Sequence, residues 1–159
     1  MKFAANISWL FKEEAHLLKR FSLAKRAGFS AVELAWPYEH SVAEFGDAVA
    51  GSGLDLVLIN TPPGGAGELG LAAVPKRETE FLDGLKMAIE YAKAGKCGMI
   101  HIMAGLLPEG EISKEVRENY RQVFVKNLQT ASGWVHKIQK GPLPIMGNRN
   151  NIKHSRAFH

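Results

Sequence analysis

The sequence predicts an α/β fold: a partial TIM barrel of four consecutive βα units, a half-barrel, followed by an irregular C-terminal tail. Three observations carry that expectation. Short apolar runs alternate with segments of helical period; the runs are apolar enough for a parallel sheet covered on both faces; and several runs place a polar group on one face, toward the C-terminal end. The 159 residues suit one core, and 46% apolar with 23% charged residues are the proportions of a folded globular chain.

The elements follow in order. "KFAANI" is an apolar run of strand length, and "FKEEAHLLKRFSLAKRAG" then keeps Leu17, Leu18, Phe21 and Ala24 on one helical stripe until Gly28 stops it. "SAVELAW" is the second strand. Ser41 and Glu44 stand three apart, the spacing of a capping box, ahead of Phe45, Ala48 and Val49. "LDLVLIN" is the third strand. After a Gly- and Pro-rich loop, Pro75 opens a helix with Phe81, Leu82, Leu85, Ala88, Ile89 and Ala92 on one stripe, closed by Gly95. "GMIHIMAG" is the fourth strand. A last helix from Ser113 carries Val116, Tyr120, Val123, Phe124, Leu128 and Ala131 toward Ile138, before Gly141 and Pro142 forbid continuation.

An open doubly wound sheet and a barrel both fit this alternation, and the strand faces choose between them. Val32 and Leu34 oppose Ala31, Glu33 and Ala35; Ile100 and Ile102 oppose Met99, His101 and Met103. Asn6 and Asn60 end the first and third strands. An unpaired charge inside a sheet costs several kcal/mol, so a face bearing Glu33 and His101 is expected to line a functional cavity, as at a barrel mouth.

Composition removes other classes. No apolar run is long enough to span a membrane, and Asn6 and Ser8 interrupt any signal-peptide core in "MKFAANISWLFK". Cys97 is the single cysteine, so no internal disulfide forms, which suits a reducing compartment; the expected location is cytoplasmic. The net charge of +4 belongs to the end of the chain: all 16 acids lie at or before Glu118, and residues 131–159 hold five of the 20 Lys and Arg. A nucleic-acid-binding domain puts its basic face on folded elements, so nucleic acid is not the expected partner. "GAGELG", Gly65 to Gly70, matches the dinucleotide fingerprint by letter. Pro62 and Pro63 separate it from the strand and Pro75 delays the helix, so the expected role is a flexible loop or lid at the mouth.

"FAANISWLF", "AVELAWPY", "LVLINTPPG" and "IHIMAG", in this order, resemble the hydroxypyruvate isomerase family among the xylose-isomerase-like TIM barrels, over residue 3 to about 130. The resemblance implies an isomerase that interconverts hydroxypyruvate and tartronate semialdehyde through an enediol, with a small hydroxy-carbonyl substrate. It also implies two catalytic glutamates, on the fifth and eighth strands, and in related barrels a divalent metal held by later strands. Here "SGWVHKIQKGPLPIMGN" stands where the first glutamate strand would come, and no acid follows Glu118. The expectation is residues 1–132 as the N-terminal half of such a barrel and 133–159 as a helix extension with a basic, disordered tail, a truncated and inactive form with no catalytic residue of its own.

Asn6, Glu33, Asn60 and His101 are the candidate substrate-binding residues, His101 because the resemblance turns its counterpart toward the mouth. Each has a duller alternative: an interior imidazole, loop-capping amides, and for Glu33 an Arg or Lys partner. Trp36 and Pro37 are expected to pack, and Cys97 to lie at the barrel bottom. No metal site is expected, since one imidazole makes none and His136, His154 and His159 lack ligand spacing; no cofactor is indicated. Open barrel edges point to self-association or to binding a full-length subunit, and the basic tail to weak anion or nucleic-acid binding as a further alternative.

Overall fold

A computed structural model describes residues 3–138 and 145–147. The order is β1 (Ala4–Asn6), a 3-10 turn (Leu17–Lys19) running into α1 (Arg20–Arg26), β2 (Ala31–Leu34), α2 (Val42–Ser52), β3 (Asp55–Asn60), α3 (Glu78–Ala94), β4 (Ile100–Ile102), α4 (Lys114–Ile138) and β5 (Ile145–Gly147). All pairings are parallel and the strands lie in sequence order, β1-β2-β3-β4-β5. A doubly wound sheet reverses its strand order at a switch point; this one never does, which is barrel topology. Inside the segment expected to be irregular, Ile145–Gly147 joins the sheet beside β4. The rest of the expected tail, 139–144 and 148–159, lies outside the described residues.

One face of the sheet packs against the helices. Ala5, Ile7, Val32, Leu34, Leu56, Ile59, Ile100 and Ile102 are buried there with Phe21, Phe45, Phe81, Leu85 and Phe124. The registers Asn6↔Glu33 and Asn60↔His101 put the expected polar residues on the opposite, half-buried face. An irregularity between Val32 and Glu33 skips Val57, so Glu33 pairs with Leu58.

The local signals act as expected at several ends. Ser41 Oγ accepts from the Glu44 N–H at 3.2 Å and Glu44 Oε2 accepts from the Ser41 N–H at 2.9 Å, a complete capping box on α2. Ser113 Oγ accepts from the Val116 N–H at the start of α4. Two helices begin later than the apolar pattern suggests. Lys76 takes φ +67°, a left-handed conformation that no helix continues through, so α3 starts at Glu78 and not at Pro75. Phe11 at φ +61° likewise keeps the first residues of "FKEEAHLLKRFSLAKRAG" out of the helix: residues 7–16 form a loop over the end of β1, and the stripe from Leu17 to Ala24 falls in the 3-10 turn and α1.

Buried Arg20 fastens that loop. Its Nε donates to the Glu14 carbonyl at 2.8 Å and its Nη1 to the Ile7 carbonyl at 3.1 Å. Carbonyls satisfy this guanidinium where no carboxylate stands, and they tie α1 to the chain just beyond Asn6.

Candidate functional site

The C-terminal ends of β1 to β4 bring the four expected residues to one face as two pairs. Asn6 Nδ2 donates to Glu33 Oε2 at 3.3 Å, while Asn6 Oδ1 accepts from the Ser8 N–H at 3.1 Å. Asn60 Oδ1 lies 3.2 Å from His101 Nδ1. Glu33 therefore has an amide partner and not the expected Arg or Lys; among the described residues it makes no ion pair. The β1–β2 register explains this, since it sets Asn6 directly beside Glu33 and no Lys or Arg stands on β1 to β4.

Burial pulls the His101 pKa below the ordinary imidazole value of 6.5, so the ring is neutral at pH 7. Tyr38 supports the second pair from behind. Its hydroxyl donates to the Asn60 carbonyl, and its ring meets Tyr91 edge-on with centroids 5.1 Å apart. Burial, then the neighbouring Tyr91, pushes the Tyr38 phenol far up, which keeps it a neutral donor. Tyr91 Oη in turn donates to the His40 carbonyl at 2.5 Å. Sequence reasoning missed Tyr38, Tyr91 and Arg20. The available sign was a tyrosine just past a strand end, too common a placement to single out.

Beside the polar face, Ser8, Trp9, Leu17, Trp36, Tyr38, Glu39 and Pro63 line a cleft of about 380 Å³. Trp9 meets Trp36 edge-on at 6.2 Å. Trp36 Nε1 is buried without a partner among the described residues, an unmet donor on the cleft wall. Pro37 is fully buried, as expected. A larger cavity of about 800 Å³ opens at the other end of the sheet, between the starts of β3 and β4 and the ends of α2 and α3. Asp55 and Lys96 are its only charged lining residues, so size does not mark the chemistry here; the polar pairs do. Cys97 is buried near this lower end, its thiol donates to the Met99 carbonyl, and burial raises its pKa, which leaves it protonated and inert.

The glycine-rich segment is pinned, contrary to the flexible lid expected. Gly70 N–H donates to the Pro63 carbonyl at 2.7 Å, Gly105 N–H to the Leu69 carbonyl at 3.1 Å, and Ala73 N–H to the Ala104 carbonyl at 2.7 Å. Arg77 bridges Glu68 and Glu80 on its outer side, and its guanidinium hydrogen bond holds both carboxyls below the usual range. Buried Asn127 of α4 donates to the Ala72 carbonyl at 2.9 Å. These backbone groups are spent on Pro63 and on the segment just past β4, and are not presented at a helix N-terminus as a dinucleotide site requires. Among the described residues no cluster of His, Cys, Asp and Glu could hold a metal and no helix could cross a membrane. The side chain of His136, with His154, His159 and the basic tail, lies outside the described residues.

A parallel sheet in sequential order, helices on its outer face and polar side chains at the strand ends inside, defines the N-terminal units of a β/α-barrel protein. The family model described as "Xylose isomerase-like TIM barrel" matches residues 21–138, and the chain belongs to that family. It is 49% identical over 139 residues to a "Putative hydroxypyruvate isomerase" of Danio rerio, covering 86% of this chain and 50% of that protein. It is 42% identical over 133 residues to a "2-oxo-tetronate isomerase" of Haemophilus influenzae, covering 82% and 50%. The crystal structure titled AP endonuclease, family 2, from Brucella melitensis superposes with a TM-score of 0.81 at 33% identity, over 92% of this chain and 54% of that one. The chain thus spans about half the length of the curated relatives it matches.

Proposed function

We propose that this half-barrel serves an isomerase of the hydroxypyruvate or 2-oxo-tetronate type, which moves a proton between adjacent carbons of a small hydroxy-carbonyl acid through an enediol. The observation that carries the reading is the convergence of one carboxylate, two amides and one imidazole on the inner strand ends, in a chain similar to such isomerases over more than four-fifths of its length. The amides and imidazole suit hydroxyl and carbonyl oxygens, and the Trp9–Trp36 wall suits the exclusion of water.

The same reading holds that this 159-residue chain does not complete the reaction alone. Enediol transfer needs one group to take the proton and another to return it, each worth about 10²–10⁴ in rate. On the described inner strand ends Glu33 is the single carboxylate, already hydrogen-bonded to Asn6, and Glu39 lies apart from the polar pairs on the wall of the neighbouring cleft. On β5, the register position beside His101 is held by Met146, and Ile145–Gly147 contains no acid. A coupled assay of the purified chain on hydroxypyruvate is expected to stay at the uncatalysed rate. Turnover near that of a complete isomerase would refute this.

A second reading, association through the barrel edge, is favoured by β1, which pairs only with β2 and leaves its other edge open among the described residues. Light scattering on the purified chain is expected to give a mass above 17.5 kDa. A compact monomer at all concentrations removes this reading. Its expected location remains a reducing, cytoplasmic setting, which fractionation would test.

A further inference from the structure

Asn60 is held at every backbone atom that could let it swing. Its N–H donates to the Ala35 carbonyl at 2.9 Å, its carbonyl accepts from Tyr38 Oη, and the next N–H, of Thr61, donates to the His101 carbonyl at 2.9 Å. Thr61 is itself buried, its Oγ1 accepting from the Met103 N–H at 3.1 Å. The strand register places Asn60 directly beside His101, so the 3.2 Å approach of Oδ1 to Nδ1 follows from two fixed backbones. An amide oxygen only accepts; the ring nitrogen facing it must carry the proton, and the other must then be bare. Asn60 Nδ2, a donor with two hydrogens, takes no part in this contact and makes no other hydrogen bond among the described residues.

We propose that Asn60 and His101 form a matched donor and acceptor for neighbouring oxygens of a hydroxy-carbonyl ligand. Asn60 Oδ1 holds His101 as the Nδ1–H tautomer, Asn60 Nδ2–H meets the carbonyl oxygen, and His101 Nε2 accepts from the adjacent hydroxyl. The choice of ligand class rests on the enediol reading above; the tautomer does not. A neutral imidazole with a bare Nε2 selects for a hydroxyl, because a carbonyl or carboxylate oxygen offers it no hydrogen. The pair therefore distinguishes a 3-hydroxy-2-keto acid from the keto acid lacking the hydroxyl. Asn60 is in this respect a positioning residue for His101 as well as a ligand contact.

Long-range proton–nitrogen NMR on the nitrogen-15-labelled full chain reads the tautomer directly, with His101→Gln assigning the ring. The expected spectrum shows a protonated Nδ1 and a bare Nε2. Addition of hydroxypyruvate is expected to move the Nε2 resonance, and pyruvate is expected to leave it in place. Asn60→Leu should lose the Nδ1–H signature in favour of the Nε2–H form that a free imidazole prefers, while Asn60→Asp, which keeps an acceptor, should retain it. A wild-type ring protonated at Nε2 overturns the proposal without any variant having to fold. An Nε2 resonance that ignores hydroxypyruvate, or answers pyruvate equally, overturns the hydroxyl-reading role. Neither result needs turnover, so an enzyme-level failure of the enediol reading would remain distinct from a failure of this pair.

Discussion

Glu33 and Leu34 are neighbours in β2, yet they face different worlds. Leu34 is fully buried against the helices, while Glu33 is half-buried on the inner face with Asn6 as partner. The same contrast repeats along β4, where His101 sits between the buried Ile100 and Ile102. The outer face carries the apolar core that these strands share with the helices. The inner face contributes little to that core and is free to carry chemistry. A strand's period of two is what lets adjacent residues divide the work.

Substitution at these two neighbours would break the contrast if it is wrong. Leu34→Ala is expected to cost about 2–5 kcal/mol, because a fully buried side chain leaves a cavity that rigid neighbours cannot close. Glu33→Gln keeps an acceptor for Asn6 and is expected to change stability by less than about 1 kcal/mol. Urea unfolding followed by circular dichroism measures both. Equal losses at the two positions would mean that the inner face is part of the structural core.

Gly70→Ala comes next in size and tests whether the mouth loop is pinned or free. Gly70 sits at φ +110°, and a Cβ there would lie 2.2 Å from the Met103 carbonyl oxygen. Such a conformation costs a non-glycine residue about 1–3 kcal/mol, before any backbone shift that relieves the clash. The loss should appear as faster hydrogen exchange at Gly70, Ala72, Ala73 and Gly105, whose N–H groups make the attachment. A neutral substitution would show that the segment moves as a lid after all.

The order of βα units, the α2 capping box and the polar inner residues were legible because each depends on spacing within a few residues. What was hidden depends on geometry between distant segments. Lys76 and Phe11 adopt positive φ with no glycine to announce it, which moved two helix starts. "GAGELG" could be doubted from its flanking prolines, but its attachment to the segment past β4 follows from a single antiparallel bridge, Gly70 to Ala104, that periodicity does not report. Asn60 and His101 are 41 residues apart, and only the β3–β4 register makes them partners. β5 was missed because three residues are too few to show a period.

The smallest effect comes from the inner face itself and concerns pH. Burial lowers the His101 pKa in the folded chain below 6.5, the value taken for an unperturbed imidazole. Below pH 6.5 the unfolded chain thus binds a proton that the folded chain still refuses, so acid favours unfolding. Stability should be whole above that pH and fall as the pH drops from 6.5 to the lowered folded value. Glu68, Glu80 and Glu118, whose carboxyls are held below the usual range by Arg77 and Arg121, act in a more acidic window, below about pH 4.5. Comparing unfolding midpoints of the chain and of His101→Gln between pH 7.5 and pH 5 isolates the imidazole. The midpoint of the unsubstituted chain should fall relative to that of the variant toward acid, because the variant lacks the group whose protonation opposes folding. A constant difference across that range would place His101 in water, and the inner face would then be an ordinary wet surface instead of a half-enclosed mouth.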